Sequence, residues 1–400
     1  MDAHLLPRRI FYLYLVLVFC TGGCATKTAF PDIIVLVNGT LIDGSGSEPL
    51  PDVVVVIEGD LIIAVGAPSK INIPAGARTI DVSGAFILPG FINAHVHDAF
   101  DKERLEAWAK AGVTTVRDEG LLLTSSLLGN RLTWRDQLSS DPRYARLVSA
   151  GSMISPPDGY GQLSVKSPEN AREKVQDEIS AGVDLIKISM ESGYAGRSGL
   201  PLLSDEELAA IIATAHAQGL LVSAHVTQAT YLGNLIEAGV DDMAHIPYDF
   251  VPEDTIQRLV AEDIYVVPTL TVLEAYRSLA GGAMNLRSFI EAGVPIALGN
   301  DYTLVPQNGF DHFDQGMPMH EIERMSQAGM TPMQIIISAT RNAAHVCGLE
   351  ASLGTLEVGK VADILILNAD PLQDIQALIQ VRMVIHNGVV IFPEESTNPE

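Results

Sequence analysis

Ala181-Gly182-Val183-Asp184-Leu185-Ile186-Lys187-Ile188-Ser189 reads as the end of a helix running straight into a buried strand. A glycine just past a helix supplies the left-handed cap, and the β-branched residue after it opens an extended run. The same wording returns at Ala111-Gly112-Val113, Ala238-Gly239-Val240 and Ala292-Gly293-Val294, with Gln218-Gly219-Leu220 as a variant. Each repeat closes a helix just before a strand.

Outward from that unit, strand-like runs cover Phe91–His97, Thr114–Asp118, Ala145–Ala150, Asp184–Ser189, Leu221–Val226, Asp241–Pro247, Tyr265–Thr271 and Pro295–Asp301. Stretches of helical period, such as Asp205–Gln218, Asp254–Ala261 and Asn285–Ala292, lie between them. Eight β/α units within residues 89–348 predict an α/β fold, a (β/α)8 TIM barrel. The alternative is a doubly wound open sheet, but no Gly-x-Gly-x-x-Gly turn follows the first strand.

On either side of the barrel the helical period is missing. Residues 25–88 contain short strands at Ile33–Ile42, Val53–Ile57, Leu61–Val65, Arg78–Val82 and Ala85–Leu88, with a hairpin signal at Glu58-Gly59-Asp60. Residues 349–400 add Val361–Leu367 and Val381–Phe392, the latter broken by an Asn387-Gly388 turn. Each set is too small to fold well alone. Together they predict one composite β-sandwich built from both ends of the chain.

The 400 residues are 47% hydrophobic and carry a formal charge of −24. That apolar content belongs to a globular chain. A surface this acidic repels phosphate backbones, and no basic run interrupts it, so nucleic acid is not an expected partner.

In a barrel of this kind the chemistry sits at the C-terminal ends of the strands. Strand one ends His95-Val96-His97, where i and i+2 share a face and both imidazoles enter the barrel mouth. Strand four holds Lys187 inside an apolar run, where a cation must find a partner or lose its charge. Strands five, six and eight end on His225, His245 and Asp301. A single strand histidine is more often a satisfied core residue, Lys187 alone could be a strand-end ion pair, and Asp301 alone could cap a helix. Four histidines, a lysine and an aspartate at the ends of five strands form instead a ligand set suited to zinc or a similar divalent metal.

Two signatures carry a resemblance. One is the entry strand Phe86-Ile-Leu-Pro-Gly-Phe-Ile-Asn-Ala-His-Val-His97, and the other is Gly354-Thr-Leu-Glu-Val-Gly-Lys-Val-Ala-Asp363 with Asp370-Pro371-Leu372. With them the sequence resembles the amidohydrolase superfamily, in the group of imidazolonepropionase-like proteins and metal-dependent Xaa-Pro-type dipeptidases. The resemblance also implies the composite β-sandwich. It implies two divalent metal ions, zinc first among them, with His95 and His97 on the buried ion and His225 and His245 on the outer one. Lys187 would be carboxylated and bridge both, and Asp301 would touch the buried ion and handle the proton. The implied activity is hydrolysis of an amide-type C–N bond in a small molecule by metal-activated water. A lactone or other ester is the alternative substrate, and a non-catalytic exported binding protein is the reading from another class. Thr227 and Ala244 depart from the aromatic and the glutamate frequent in the dipeptidase-like members. Gln228, together with Lys187, departs from the deaminases.

The N-terminus reads separately. Arg8-Arg9, an apolar run from Ile10 to Phe19 and then Gly22-Gly23-Cys24 predict an export signal over residues 1–24. The run is short for a membrane span. Its end resembles a bacterial lipoprotein site, which implies lipidation at Cys24 and a periplasmic or cell-surface protein held to the membrane through that lipid. A homo-oligomer is left open. Cys347 is expected as a core filler. Tyr194, on the loop after Lys187, could contact substrate or simply pack the loop; His312 and His320 could line the mouth but read more readily as surface residues, and His216 and His386 read as structural.

Overall fold

The computed structural model describes residues 33–120, 125–193, 197–303 and 315–393, without the side chains of 125–129. Residues 1–24, where an export signal is predicted, lie outside the described residues, as do Tyr194 and His312. No helix among the described residues is long and apolar enough to cross a membrane.

The N-terminal strands are β1 (Ile33–Leu41), β2 (Leu50–Glu58), β3 (Leu61–Gly66), β4 (Arg78–Asp81) and β5 (Phe86–Pro89). The parallel strands of the central region are β6 (Phe91–Val96), β7 (Val113–Asp118), β8 (Arg146–Ser149), β9 (Ile154–Ser155), β10 (Leu163–Ser164), β11 (Ile186–Ser189), β12 (Val222–His225), β13 (Asp242–Met243) and β14 (Tyr265–Val266). The C-terminal strands are β15 (Ile364–Leu367), β16 (Val381–His386) and β17 (Val389–Phe392).

Both ends of the chain enter one eight-stranded sheet. Its order is β17-β16-β15-β5-β1-β2-β3, with β4 also paired to β1. The link between the two ends is β15, antiparallel to β5 in register from Ile364–Pro89 to Leu367–Phe86. Alternation sorts the side chains to the two faces. Val53, Val55 and Ile57 pack with Ile34, Leu36, Ile87 and Ile364 on one face, and Val35, Val54 and Val56 pack on the other.

The central region is a TIM-barrel-like α/β fold. Parallel pairing runs β6-β7-β8 in one sheet and β10-β9-β11-β12-β13-β14 in another. Isolated parallel bridges pair Ala150 with Leu185, Val266 with Ile296, and Val96 with Tyr302. The helix-ending repeat adopts the expected geometry. Gly182, Gly239 and Gly293 are left-handed C-caps at φ 94°, 86° and 89°, and Gly112 sits at φ 91°.

Three of the expected strands are shorter than their apolar runs. Asp241–Pro247 supplies a strand of two residues, as does Tyr265–Thr271, and Pro295–Asp301 forms no named strand, meeting its neighbours through the bridge at Ile296 and separate backbone hydrogen bonds. Pro247, Pro268 and Pro295 lack the N–H that a ladder requires. The backbone beyond Pro268 turns at once into a helix, Leu270–Ala275. The pair β9–β10 was not anticipated. Its connecting loop brings Tyr160 and Gln162 to the cavity described below.

Gly299 shows why the last segment can lie against the first strand. A Cβ there would fall 2.7 Å from His95 Cβ and 2.8 Å from His95 N, closer than atoms can sit. Only glycine permits that approach. It lets Ala94 donate to the Leu298 carbonyl and Asp301 to the His95 carbonyl.

Candidate metal centre

One cavity of about 380 Å³ opens at the strand ends, and it is lined by His95, His97, Lys187, His225, His245 and Asp301 together. The structure therefore brings all six anticipated residues to one place. His95 and His97 arrive on β6 and its end, Lys187 on β11 and His225 on β12. His245 and Asp301 follow β13 and the segment at Leu298.

The tightest group is His95, His97 and Asp301, whose ligand-type atoms all lie within 4.8 Å of one another. Asp301 Oδ1 is 3.2 Å from His95 Nε2 and 3.1 Å from His97 Nε2. The His245 ring stands 4.8 Å from that of His95 and 4.5 Å from that of His225. Asp301 adopts φ 55°, a left-handed conformation. Its neighbour Asn300 steadies it by accepting from Asn93 Nδ2 at 2.8 Å across to β6.

Burial and the Asp301 carboxylate act in opposite directions on the four imidazoles. Burial lowers His95 to about 4 and also pulls His225 and His245 down, the last well below its ordinary value. Burial thus favours the neutral form of those three imidazoles, the form that offers a lone pair. Burial alone would also lower His97, but the Asp301 carboxylate outweighs it and pushes His97 up to about 9. Burial opposes ionisation of Asp301, yet His95 and His97 hold it well below the usual carboxylate range. His95 is wholly buried, and neither of its ring nitrogens makes a hydrogen bond of good geometry among the described residues. A buried imidazole without that compensation is costly in a protein alone and ordinary in a metal site. The residues present fit a divalent cation.

Several partners at the site were not legible beforehand. Lys187 Nζ donates to Glu119 Oε2 at 2.5 Å, and both residues are buried. Burial lowers the Lys187 pKa despite that contact. Glu119 Oε1 meets Arg117 Nε at 2.6 Å, and Arg117 forks onto Asp242 at 2.8 and 3.0 Å. A charged triplet, Arg117-Asp118-Glu119, at the end of β7 was the available signal. Thr227 Oγ1 donates to Glu191 Oε2 at 2.6 Å, and that oxygen lies 3.6 Å from His225 Nε2. Tyr160 stacks on the His225 ring at 4.6 Å, and the Arg197 guanidinium lies 5.7 Å over the Tyr160 ring. Both come from loops, where no period marks a residue's direction.

The remaining histidines stand apart. His320 pairs with Glu274 at 2.9 Å and does not line the cavity, and His216 pairs with Asp241 at 2.8 Å. His386 is fully buried and bonds the Pro142 carbonyl at 2.8 Å, tying the terminal sheet to the central region. Cys347 is a buried free thiol.

Comparison with known proteins agrees with this geometry. Residues 86–391 match the amidohydrolase family, and the chain belongs to it. It is similar to ochratoxinase of Aspergillus niger, at 25% identity over 88% of this chain and 85% of that protein. It is also similar to imidazolonepropionase of Symbiobacterium thermophilum, at 26% identity over 88% and 89%. Among solved structures, a Xaa-Pro dipeptidase with bound methionine superposes with a TM-score of 0.77 at 24% identity, over 90% of this chain and 99% of that one. The protein is a hydrolase of this family, which acts on small molecules and generally binds divalent metal ions.

Proposed function

We propose that the protein hydrolyses an amide-type C–N bond of a small molecule at a binuclear metal site. The observation that carries this reading is the convergence of six ligand-type side chains from separate strand ends on one cavity. His95, His97 and Asp301 would hold one ion, His225 and His245 the other, and Lys187, as its carbamate, would lie between them. The bridges at Val96–Tyr302, Ala150–Leu185 and Val266–Ile296 support reading the eight parallel segments of residues 89–348 as a closed barrel. Residues 25–88 and 349–400 would then form a separate β-sandwich domain.

Divalent ions held there would polarise the scissile carbonyl and acidify a water, most naturally as zinc. Asp301 would accept the proton of the attacking water at a carboxylate oxygen and deliver it to the leaving nitrogen. Tyr160 and Val272 supply apolar surface to the cavity, and Arg197 lines it with a guanidinium. Arg197 offers an anionic end of the substrate a partner. A panel of dipeptides, N-acyl amino acids, their primary amides, and lactones tests the class; turnover of lactones alone would replace the amide reading with the ester one. Elemental analysis of protein expressed with ample metal should approach two divalent ions per chain. A stable maximum of one ion with full activity would overturn the bridging role of Lys187.

We propose in addition that residues 1–24 direct export and that Cys24 carries the lipid. Cys24→Ala should abolish labelling by a fatty-acid analogue and release the protein from membranes. Labelling that survives in that variant refutes lipidation at this position.

A further inference from the structure

Thr269 sits at φ 47°, ψ 46°, fully buried, at the turn from β14 into the helix Leu270–Ala275. A β-branched residue is a poor choice for the left-handed region, since its Cβ crowds the backbone. Strain of that kind persists only where surrounding contacts impose it. Here the contacts come from one carboxylate. Glu321, on the helix Met319–Gln327, accepts from Leu270 N at 2.8 Å through Oε1 and from Thr271 N at 2.7 Å through Oε2. Thr271 Oγ1 donates to the same Oε2 at 2.7 Å. The carboxylate thus satisfies the first free N–H groups of a short helix and is itself wholly buried.

The strained turn has a consequence in the cavity. It aims Thr269 Oγ1 at His245 Nδ1, 2.7 Å away. A hydroxyl accepting from Nδ1–H leaves the Nε2 lone pair of that imidazole for a ligand, and hydrogen bonds of this kind set the tautomer and orientation of ligating histidines. An ordinary helix start would not need a threonine at positive φ, and glycine or asparagine would occupy it with less strain.

We infer that Thr269 is a positioning residue that orients His245 toward a divalent cation, and that Glu321 holds Thr269 in place. This rests on the reading of His245 as a metal ligand. The test measures the affinity of the full-length protein for Zn²⁺ and Co²⁺ by chelator competition, beside the visible spectrum of the Co²⁺-loaded protein and the thermal midpoint. Thr269→Gly removes the hydroxyl and relieves the backbone. It should weaken the more labile ion 10- to 100-fold and alter the Co²⁺ spectrum while leaving the thermal midpoint of the metal-free protein unchanged or higher. Thr269→Ser should retain wild-type affinity. Glu321→Gln places an amide donor against backbone N–H groups and should weaken the same ion. His245→Ala is the control. If it binds as the wild type does, the metal reading of His245 is wrong and the inference falls with it. If His245→Ala loses the ion while Thr269→Gly and Glu321→Gln keep it, the positioning role alone is overturned.

Discussion

Lys187→Ala is expected to lose one divalent ion and to lower kcat/KM by about a thousandfold, equal to about 4 kcal/mol of transition-state stabilisation. The argument is one of charge. An ammonium between two divalent cations is repelled by both, so it must lose its proton or expel an ion. Addition of the Lys187 amine nitrogen to carbon dioxide, with release of a proton, removes the conflict by turning a cation into an anion with two oxygens. Glu119, at 2.5 Å, is the competing partner and holds Nζ when no such anion forms. A short carboxylic acid added to Lys187→Ala should restore part of the metal content and activity, because it can take the vacated bridge. Lys187→Arg should resist rescue, since the guanidinium stays cationic and fills the space. Wild-type activity and metal content in Lys187→Arg would make the lysine an ordinary structural cation and the centre mononuclear.

Arg117→Met should cost about 3–5 kcal/mol of stability, a large share of the roughly 5–15 kcal/mol that holds a domain together. Arg117 is completely buried. It donates to the Ala94 and Val346 carbonyls at 2.7 Å each and to Asp242, and it forms an ion pair with Glu119. Removing it strands two buried carboxylates, Asp242 and Glu119, of which only Glu119 keeps a cation, Lys187. Arg117→Lys should recover little, because an ammonium cannot form the bidentate pair with Asp242. Adding Asp242→Leu to Arg117→Met should return part of the loss by removing one orphaned charge. Urea denaturation of the four proteins measures this. A value for Arg117→Met within about 1 kcal/mol of wild type would show that the network is not structural.

The units that build the central region were legible in the sequence because they depend on local rules. Gly112, Gly182, Gly239 and Gly293 close helices in any context, since their left-handed backbone is a property of a few residues. The ligand-type residues were legible for the same reason. His95 and His97 share a face by strand period, and Lys187 is conspicuous inside Leu185-Ile186-Lys187-Ile188. What lies beyond those rules depends on residues far apart in the chain. Glu321 reaches the backbone at Leu270 and Thr271 from some fifty positions away. Gly299 reads as one more small residue until His95 is seen against it. The pairing of β5 with β15 joins residues 86–89 to residues 364–367, which no local period connects. Periodicity and capping are written in neighbouring side chains, so the chain alone determined the units and the ligand types. Which buried charge answers which, how the strand ends bring six side chains to one cavity, and which threonine is bent to face His245 follow from long-range packing. Only the tertiary structure decided those.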